Sequence, residues 1–575
     1  MDANYDVSEW EQLSDDEDVE LFNFSDDDED PIHVKKLNKE LPLPVYSDES
    51  DSSDDIATRS TQKFEKTIEC EDSSDWKQQP FITKTIDDCT TFSPSLWSAE
   101  DYFDQYIADK TFEQFAEFTN IYYKQRTERD LNATANEIRR LFAINILMGC
   151  FNLPRTREYW TKSMRINNVA DILPRNRYFL LRNCIHIANN ELDKSETDRL
   201  WKIRPFLNII RETMLLKDRS KHLSIDEQMI PFRGRHSIRQ YMPQKPIRFG
   251  FKNYCLATPE GLILDFEIYQ GSTTPVDQNI KAQFNQTTAI VHHLCRTIPR
   301  NLSHIIYVDR YFTSLALFEH LLSNGIYATG TARIDRVRGI PFMNSKLLKK
   351  EKRGFFEEFV KHDDTLSAVR WIDNKPVVLI SSFHGATPTE SVSRFFRKEK
   401  QRQNIECPAV VSAYNQSMGG VDLNDRFIAN YRIGVRSRKW TVRCLFHFLD
   451  LVVANAWIEY KIDAASVGET NIMDLYSYRK HIAEHLVSST EKRKRGRPTK
   501  SPVVTPKKMD RRKHAVDDNK RMDTFSHWPV FVQQKSAPRC ANGCGKWSRI
   551  KCEKCGVFLC IKEDQDCFKK YHTSE

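Results

Sequence analysis

The chain has 575 residues, 40% of them hydrophobic and 29% charged, which is too long for one core and predicts about four folding units. Acidic residues crowd the first 55 positions (Asp15 to Asp18, Asp26 to Asp30, Asp48 to Asp55), so the net charge of +6 hides a remainder that is considerably more basic and points to nucleic acid as partner. Neither a signal peptide nor an apolar run long enough to cross a bilayer is expected, which argues against a membrane role.

Residues 1–90 are Ser/Asp-rich and aperiodic, and predict a disordered acidic tail. Trp10, Leu21, Phe22 and Phe24 interrupt the acid and allow a partner-binding reading. Ser14, Ser25, Ser47 and Ser53 stand directly before acidic residues, a context for acidophilic kinases. A purely solubilising tail is the alternative.

Over 91–220 apolar residues recur every three and four positions, predicting a helical domain: Tyr102-Phe103 with Tyr106-Ile107, then Phe112, Phe115 and Phe118, then Ile138, Leu141-Phe142 and Ile146-Leu147. Tyr178 to Leu181 and Ile185 to Ile187 read as one further helix. Its aromatics, like His186, read as core.

Between 221 and 330 the pattern becomes mixed. Strands are predicted at 223–230, 249–256 and 261–270, the last two joined by the turn Thr258-Pro259-Glu260-Gly261. A helix at 286–297 follows, then an apolar strand His304 to Asp309, a helix at 313–324 stopped by Gly325, and a strand Ile326 to Arg333. Three strands in a meander, then alternating helices and strands, describe an α/β sheet covered by helices. Residues 331–412 read as a strand-rich insertion with a hairpin at 371–380. Residues 413–486 contain Gly419-Gly420, Asp422, Asp425 and a long helix from Trp440 to Tyr460. A basic linker, 487–520, precedes a cysteine-rich end, 521–575.

Three acidic sites stand out: Asp226 on the first strand, Asp309 at the end of a later strand, and Asp422 with Asp425. The glycine pair suits a tight turn into a helix, and the i, i+3 spacing puts Asp422 and Asp425 on one face. Clustered carboxylates repel unless cations neutralise them, and hard oxygen donors suit Mg²⁺ or Mn²⁺. Surface carboxylates satisfied by nearby arginines are the alternative. Glu227, beside Asp226, points to the opposite face by strand alternation.

Ile225-Asp226-Glu227-Gln228 with Phe232-Arg233-Gly234-Arg235, Val308-Asp309-Arg310-Tyr311-Phe312-Thr313-Ser314, and Tyr414-Asn415-Gln416-Ser417-Met418-Gly419-Gly420-Val421-Asp422 resemble the three catalytic blocks of piggyBac-type transposases, in the same order. The resemblance runs from about residue 90 to the C-terminal cysteines. It implies an RNase H-like catalytic domain in which Asp226, Asp309 and Asp422 hold the metals and Asp425 supports them. It also implies cleavage and rejoining of double-stranded DNA at TTAA sites and transposon ends, by way of a hairpin, by a homodimer. A domesticated DNA-binding protein that no longer transposes is the alternative.

Lys245, Arg248, Arg333 and Lys439 are candidate phosphate contacts, with an ordinary solvated basic face as the alternative; Trp440 reads as core. Lys492-Arg493-Lys494-Arg495-Gly496-Arg497-Pro498 reads as a nuclear localisation run. Its Arg-Gly-Arg-Pro core resembles an AT-hook, in which Arg495 and Arg497 would enter a narrow minor groove.

Of the 14 cysteines, six fall between Cys540 and Cys567. Cys540, Cys544, Cys552, Cys555, Cys560, Cys567 and His572, with His527 upstream, offer eight ligands, enough for two tetrahedral zinc ions in a segment too short to bury a core unaided. A cross-braced pairing is expected, with the assignment of ligands to ions left open, and His527 is the outlier of the set. The cluster also resembles the C-terminal domain that binds transposon ends in the same family; an isolated finger of this kind equally suits a histone-reading or ubiquitin-ligase role.

Overall fold

The computed structural model describes residues 75–85, 96–243, 245–397, 399–435, 437–488, 516, 518–534 and 536–573. Most of the acidic tail and the whole basic run 492–498, Arg495 and Arg497 included, lie outside these residues. The chain divides into two compact units, one holding residues up to Tyr106 and Ile209–Tyr478, the other Ile107–Asn208 and Arg479–Glu575.

The second unit begins with three helices, α1 (Asp109–Thr127), α2 (Ala135–Phe151) and α3 (Arg175–Cys184). A capping box starts α2: the Thr134 hydroxyl accepts from the Glu137 N–H, and the Glu137 carboxylate accepts from the Thr134 N–H. The periodic aromatics do form its core, with Phe115 edge-on to Phe142 and to Phe206 at 5.4 Å. The predicted continuation of α3 through Ile187 does not occur. The His186 N–H goes instead to the Thr119 hydroxyl at 3.2 Å, while Ile185 and Ile187 still bury their side chains. His186 stacks on Tyr122 at 3.5 Å, as a packed histidine should.

The first unit is built on a ten-stranded sheet. Its strands are β1 (Trp76–Lys77), β2 (His222–Pro231), β3 (Gln240–Tyr241), β4 (Phe249–Ala257), β5 (Ile263–Ile268), β6 (Ile305–Val308), β7 (Tyr327–Ala332), β8 (Phe356–Lys361), β9 (Ser367–Ile372) and β10 (Pro376–Ser381). The order is β1-β8-β9-β10-β7-β6-β2-β4-β3, with β5 also paired to β4. Strands β2, β4 and β5 pair antiparallel in that order, with Gly261 at φ +95° in the turn between the last two. Then β6 and β7 add in parallel, each reached through a helix, α5 (Gln286–Cys295) and α6 (Leu315–Ser323), with helix α4 (Arg204–Leu215) preceding β2. All four residues of β6 are buried, as expected of an interior parallel strand covered on both faces.

Residues 331–412 do not form a separate insertion. Strands β8, β9 and β10 continue the main sheet, because β10 pairs antiparallel with β7, and only β11 (Glu390–Phe396) and β12 (Gln401–Cys407) stand off as a ribbon. After helix α7 (Ala409–Ser417), helix α8 (Gly420–Asn430) packs on β2 and β4, backed by α9 (Trp440–Ser466). Helix α9 is long and apolar enough to cross a membrane, contrary to the expectation from sequence, yet 89% of its apolar window is buried inside the protein. It serves as a core helix: Phe448 packs on Phe266, and the buried Asn455 amide accepts from the Ile263 N–H and donates to the Ile263 carbonyl. Trp440, at its start, is half-buried and packs against His236 and Phe251.

Candidate functional site

Residue Ile225 of β2 lies in parallel register with Val308 of β6. Asp226 and Asp309 follow these two residues directly, so the sheet brings their backbones side by side at one end. The Asp309 carboxylate accepts from the Tyr311 N–H at 2.9 Å, which turns the chain out of the sheet, and the Asp226 carboxylate accepts from the Glu227 N–H at 2.7 Å.

Asp422 arrives from α8, in its first turn. Neither glycine of the preceding pair has a positive φ, so the pair is not needed for a left-handed turn. Gly420 is needed for contact: a Cβ there would stand 2.1 Å from the Thr258 carbonyl oxygen and 2.9 Å from the Ser224 hydroxyl. Its missing side chain lets the helix start press on the end of β2 and the turn after β4. Asp422 is exposed, whereas Asp425, one turn on, is half-buried.

Burial pushes Asp226 well above the ordinary carboxylate range and raises Asp309. The next cause for both is the charge of Glu227, and Asp309 adds to the shift of Asp226. Asp425 is raised to about 6, mainly by burial, with the neighbouring Gln228 side chain pulling the other way. Gln228 is held in turn by the buried, neutral His447, whose Nε2 lies 2.9 Å from its side-chain oxygen. Tyr414 of α7 feels all three aspartates: burial takes it to about 12, and Asp309, Asp226 and Asp422 each push the same way.

Two buried carboxylate oxygens, Glu227 Oε2 and Asp425 Oδ1, have no hydrogen-bond partner. Open, hard acceptors beside mutually repelling acids are a donor set that fits a divalent cation. Alternation does set Glu227 opposite Asp226, since it pairs with Tyr254 where Asp226 pairs with Cys255. Its charge nevertheless reaches Asp309, because Asp309 lies past the end of β6, where the sheet no longer separates its faces. Sequence reasoning therefore discarded a residue that acts on the site, and it missed Gln228 and Tyr414, although both stand inside the quoted blocks.

At the C-terminus, His527, Cys552, Cys555 and His572 form one tetrad, and Cys540, Cys544, Cys560 and Cys567 another, with ligand atoms within 4.8 Å of one another in each. Either could hold a metal ion. In chain order the tetrads alternate as one, two, two, one, one, two, two, one, so the pairing is cross-braced. Burial and then neighbouring sulfurs push Cys555 and Cys560 up to about 12, a penalty that a cation reverses. His527 is a full member: the Asp523 carboxylate takes its Nε2 at 2.8 Å, leaving Nδ1 facing Cys552 and Cys555 at 3.4 Å.

The family described as Transposase IS4 matches residues 98–457. Human PiggyBac transposable element-derived protein 2 is 30% identical over 447 residues, 76% of this chain and 71% of the relative. The chain belongs to the piggyBac-type transposase family. Human PiggyBac transposable element-derived protein 3 is 28% identical over 553 residues, 92% of this chain and 87% of its own. In three dimensions the chain is similar to a piggyBac transposase in a synaptic complex with hairpin DNA, solved by cryo-electron microscopy, with a TM-score of 0.59 at 20% identity, covering 85% of this chain and 98% of that one. That likeness establishes a shared mixed α/β fold.

The basic candidates of this piggyBac-type chain differ among themselves. Arg248 and Arg333 are exposed, the latter paired with Asp335 at 3.2 Å. Lys439 directly precedes α9. Lys245 is not on an open face: its ammonium donates to the Glu227 carbonyl at 3.2 Å and lies 3.5 Å from the Glu227 carboxylate.

Proposed function

We infer that this protein is a DNA transposase that cuts and rejoins double-stranded DNA at TTAA sites, with Asp226, Asp309 and Asp422 holding Mg²⁺ or Mn²⁺ and Asp425 in support. The observation that carries the reading is the parallel register of Ile225 with Val308, under a helix start that carries Asp422. The RNase H-like reading of the core rests on the same strands, a three-strand meander followed by two parallel additions. Divalent cations held by such carboxylates activate an attacking oxygen and stabilise a leaving one.

The chain's own part is positioning. The middle of β2 and the end of β6 fix two carboxylates, and Gly420 seats the third. Gln228, fixed by His447, lies beside Asp425. Low polarity around Asp226 strengthens every electrostatic contact made there. Arg248 and Arg333 are placed for phosphate, and Lys439 for the same role through the start of α9. The cross-braced tetrads suit two structural zinc ions, given their thiolate and imidazole donors, in a domain for transposon ends. Nuclear localisation through 492–498, minor-groove contact by Arg495 and Arg497, and homodimerisation to pair two ends complete the reading.

The human relatives are named as element-derived, which favours one alternative, a domesticated DNA-binding protein without transposition. Purified protein incubated with a TTAA-flanked terminal-repeat duplex and Mg²⁺ separates the two. Nicked and hairpin products are expected; DNA binding without them would establish the domesticated reading. Asp226→Asn should lose cleavage by at least about a thousandfold while keeping DNA affinity within about twofold. Full cleavage by that variant would remove Asp226 from the site.

A further inference from the structure

Lys245 enters the acidic cluster from the short loop between β3 and β4. The loop is closed at its base by the Met242 N–H on the Arg248 carbonyl, 2.8 Å, and the Lys245 N–H turns back to the Met242 carbonyl at 3.3 Å. The side chain is 27% exposed, and Glu227 holds its ammonium through both backbone and carboxylate oxygens. The charges of Asp226 and Asp422 also act on it. One lysine, in contact with Glu227, thus shares its field with four carboxylates, Asp226, Glu227, Asp309 and Asp422. Glu227 Oε2, buried and without a partner, marks where charge compensation is incomplete.

Like charges exclude one another. A divalent cation entering among these oxygens meets the ammonium a few ångströms away, and the two compete for the same negative field. Lys245 has one other anionic destination, a DNA phosphate, which its flexible four-carbon stem can reach from a loop at the rim.

Resting on the metal-site reading above, we propose that Lys245 is a resident counter-cation: tethered by Glu227, it neutralises the carboxylates in the DNA-free protein and swings onto DNA phosphate when the divalent cation binds. Cation and DNA then bind with positive coupling, because each favours the outward position of the same side chain. An undocked enzyme keeps its acidic site protected from premature metal loading.

The test is Mn²⁺ titration of the full-length, DNA-free protein, read by electron paramagnetic resonance of free Mn²⁺. Lys245→Gln should bind Mn²⁺ about tenfold more tightly than wild type. Lys245→Arg, which keeps the charge, should stay within about twofold. A tighter affinity cannot arise from a damaged fold. Adding terminal-repeat DNA should tighten Mn²⁺ binding in wild type and by much less in Lys245→Gln. Unchanged or weaker Mn²⁺ binding by Lys245→Gln overturns the inference. Asp226→Asn tests the underlying reading separately: if it binds Mn²⁺ as wild type does, the metal site is misassigned whatever Lys245 does.

Discussion

The carboxyl group of Asp425 sits where its neutral form is favoured, because burial outweighs the help of Gln228, Arg432 and Lys245 and lifts it to about 6 from the usual 3.8. A carboxyl raised on folding holds its proton more tightly in the folded state. Its contribution to stability is therefore present at low pH and is lost as pH rises from the unfolded value through about 6. Without added divalent cation, Asp425→Asn should stabilise the first unit by on the order of 2 kcal/mol at pH 8 and by nothing measurable at pH 4. Thermal unfolding at the two pH values checks this, and an equal shift at both would place the effect in packing. Single residues of this site were unevenly legible in the sequence. Asp226, Asp309 and Asp422 could be picked out because each sits in a block with a recognisable neighbourhood. Glu227 could not, since period-two alternation predicts a face and says nothing about where a neighbouring strand ends.

Elements were more legible than their partnerships. The strand predicted at 223–230 is found at His222–Pro231 and that at 249–256 at Phe249–Ala257, because buried β-rich runs bounded by turn residues leave a local signature. Which strand pairs with which is a long-range matter. Nothing in 331–412 announces that β10 seeks β7, and the segment therefore reads as an insertion when it is an extension of the sheet. The glycine pair before Asp422 was legible as a requirement but not as the right one, since close approach is decided by what the helix meets. Gly420→Ala should push α8 off Thr258 and Ser224, costing about 1–3 kcal/mol by overpacking. Cleavage should fall further than stability does, because Asp422 moves with the helix; melting and cleavage assays on the one variant measure the difference. A second element-level contact lies on β5, where the buried Asp265 and Glu267 both receive Arg211 of α4, at 2.6 and 3.0 Å. Arg211→Met leaves those carboxylates short of compensation and should destabilise the unit by about 3 kcal/mol, with Arg296 on Asp265 limiting the loss. Chemical denaturation of the variant would show a matching drop in midpoint.

At the scale of the whole molecule, the C-terminal segment is built on side chains that could hold metal, where the sheet is built on apolar burial. Its buried hydrophobic cluster consists of five of the six terminal cysteines and Leu559, with Cys544 packed at its edge, so the same side chains supply both core and ligands. Removing the ions should therefore remove the fold, since thiols packed this closely have no other compensation. All eight candidate ligands and a cross-braced pattern are legible in the sequence, but not which residues share a tetrad, because spacing alone cannot assign interleaved residues. Their cross-bracing has a testable consequence. Each tetrad joins the start of the segment to its end, so disabling one loosens the whole. The intact protein should contain about two zinc ions. His527→Ala should lower this to about one and expose the segment to protease on both sides of Cys540–Cys560, not only around residue 527. Asp523→Asn, which removes the carboxylate that orients His527, should keep both ions but weaken the affinity of one by about 10- to 100-fold in a chelator competition. Two ions retained by His527→Ala at full affinity would return that histidine to the surface role its distance from Cys540 first suggests.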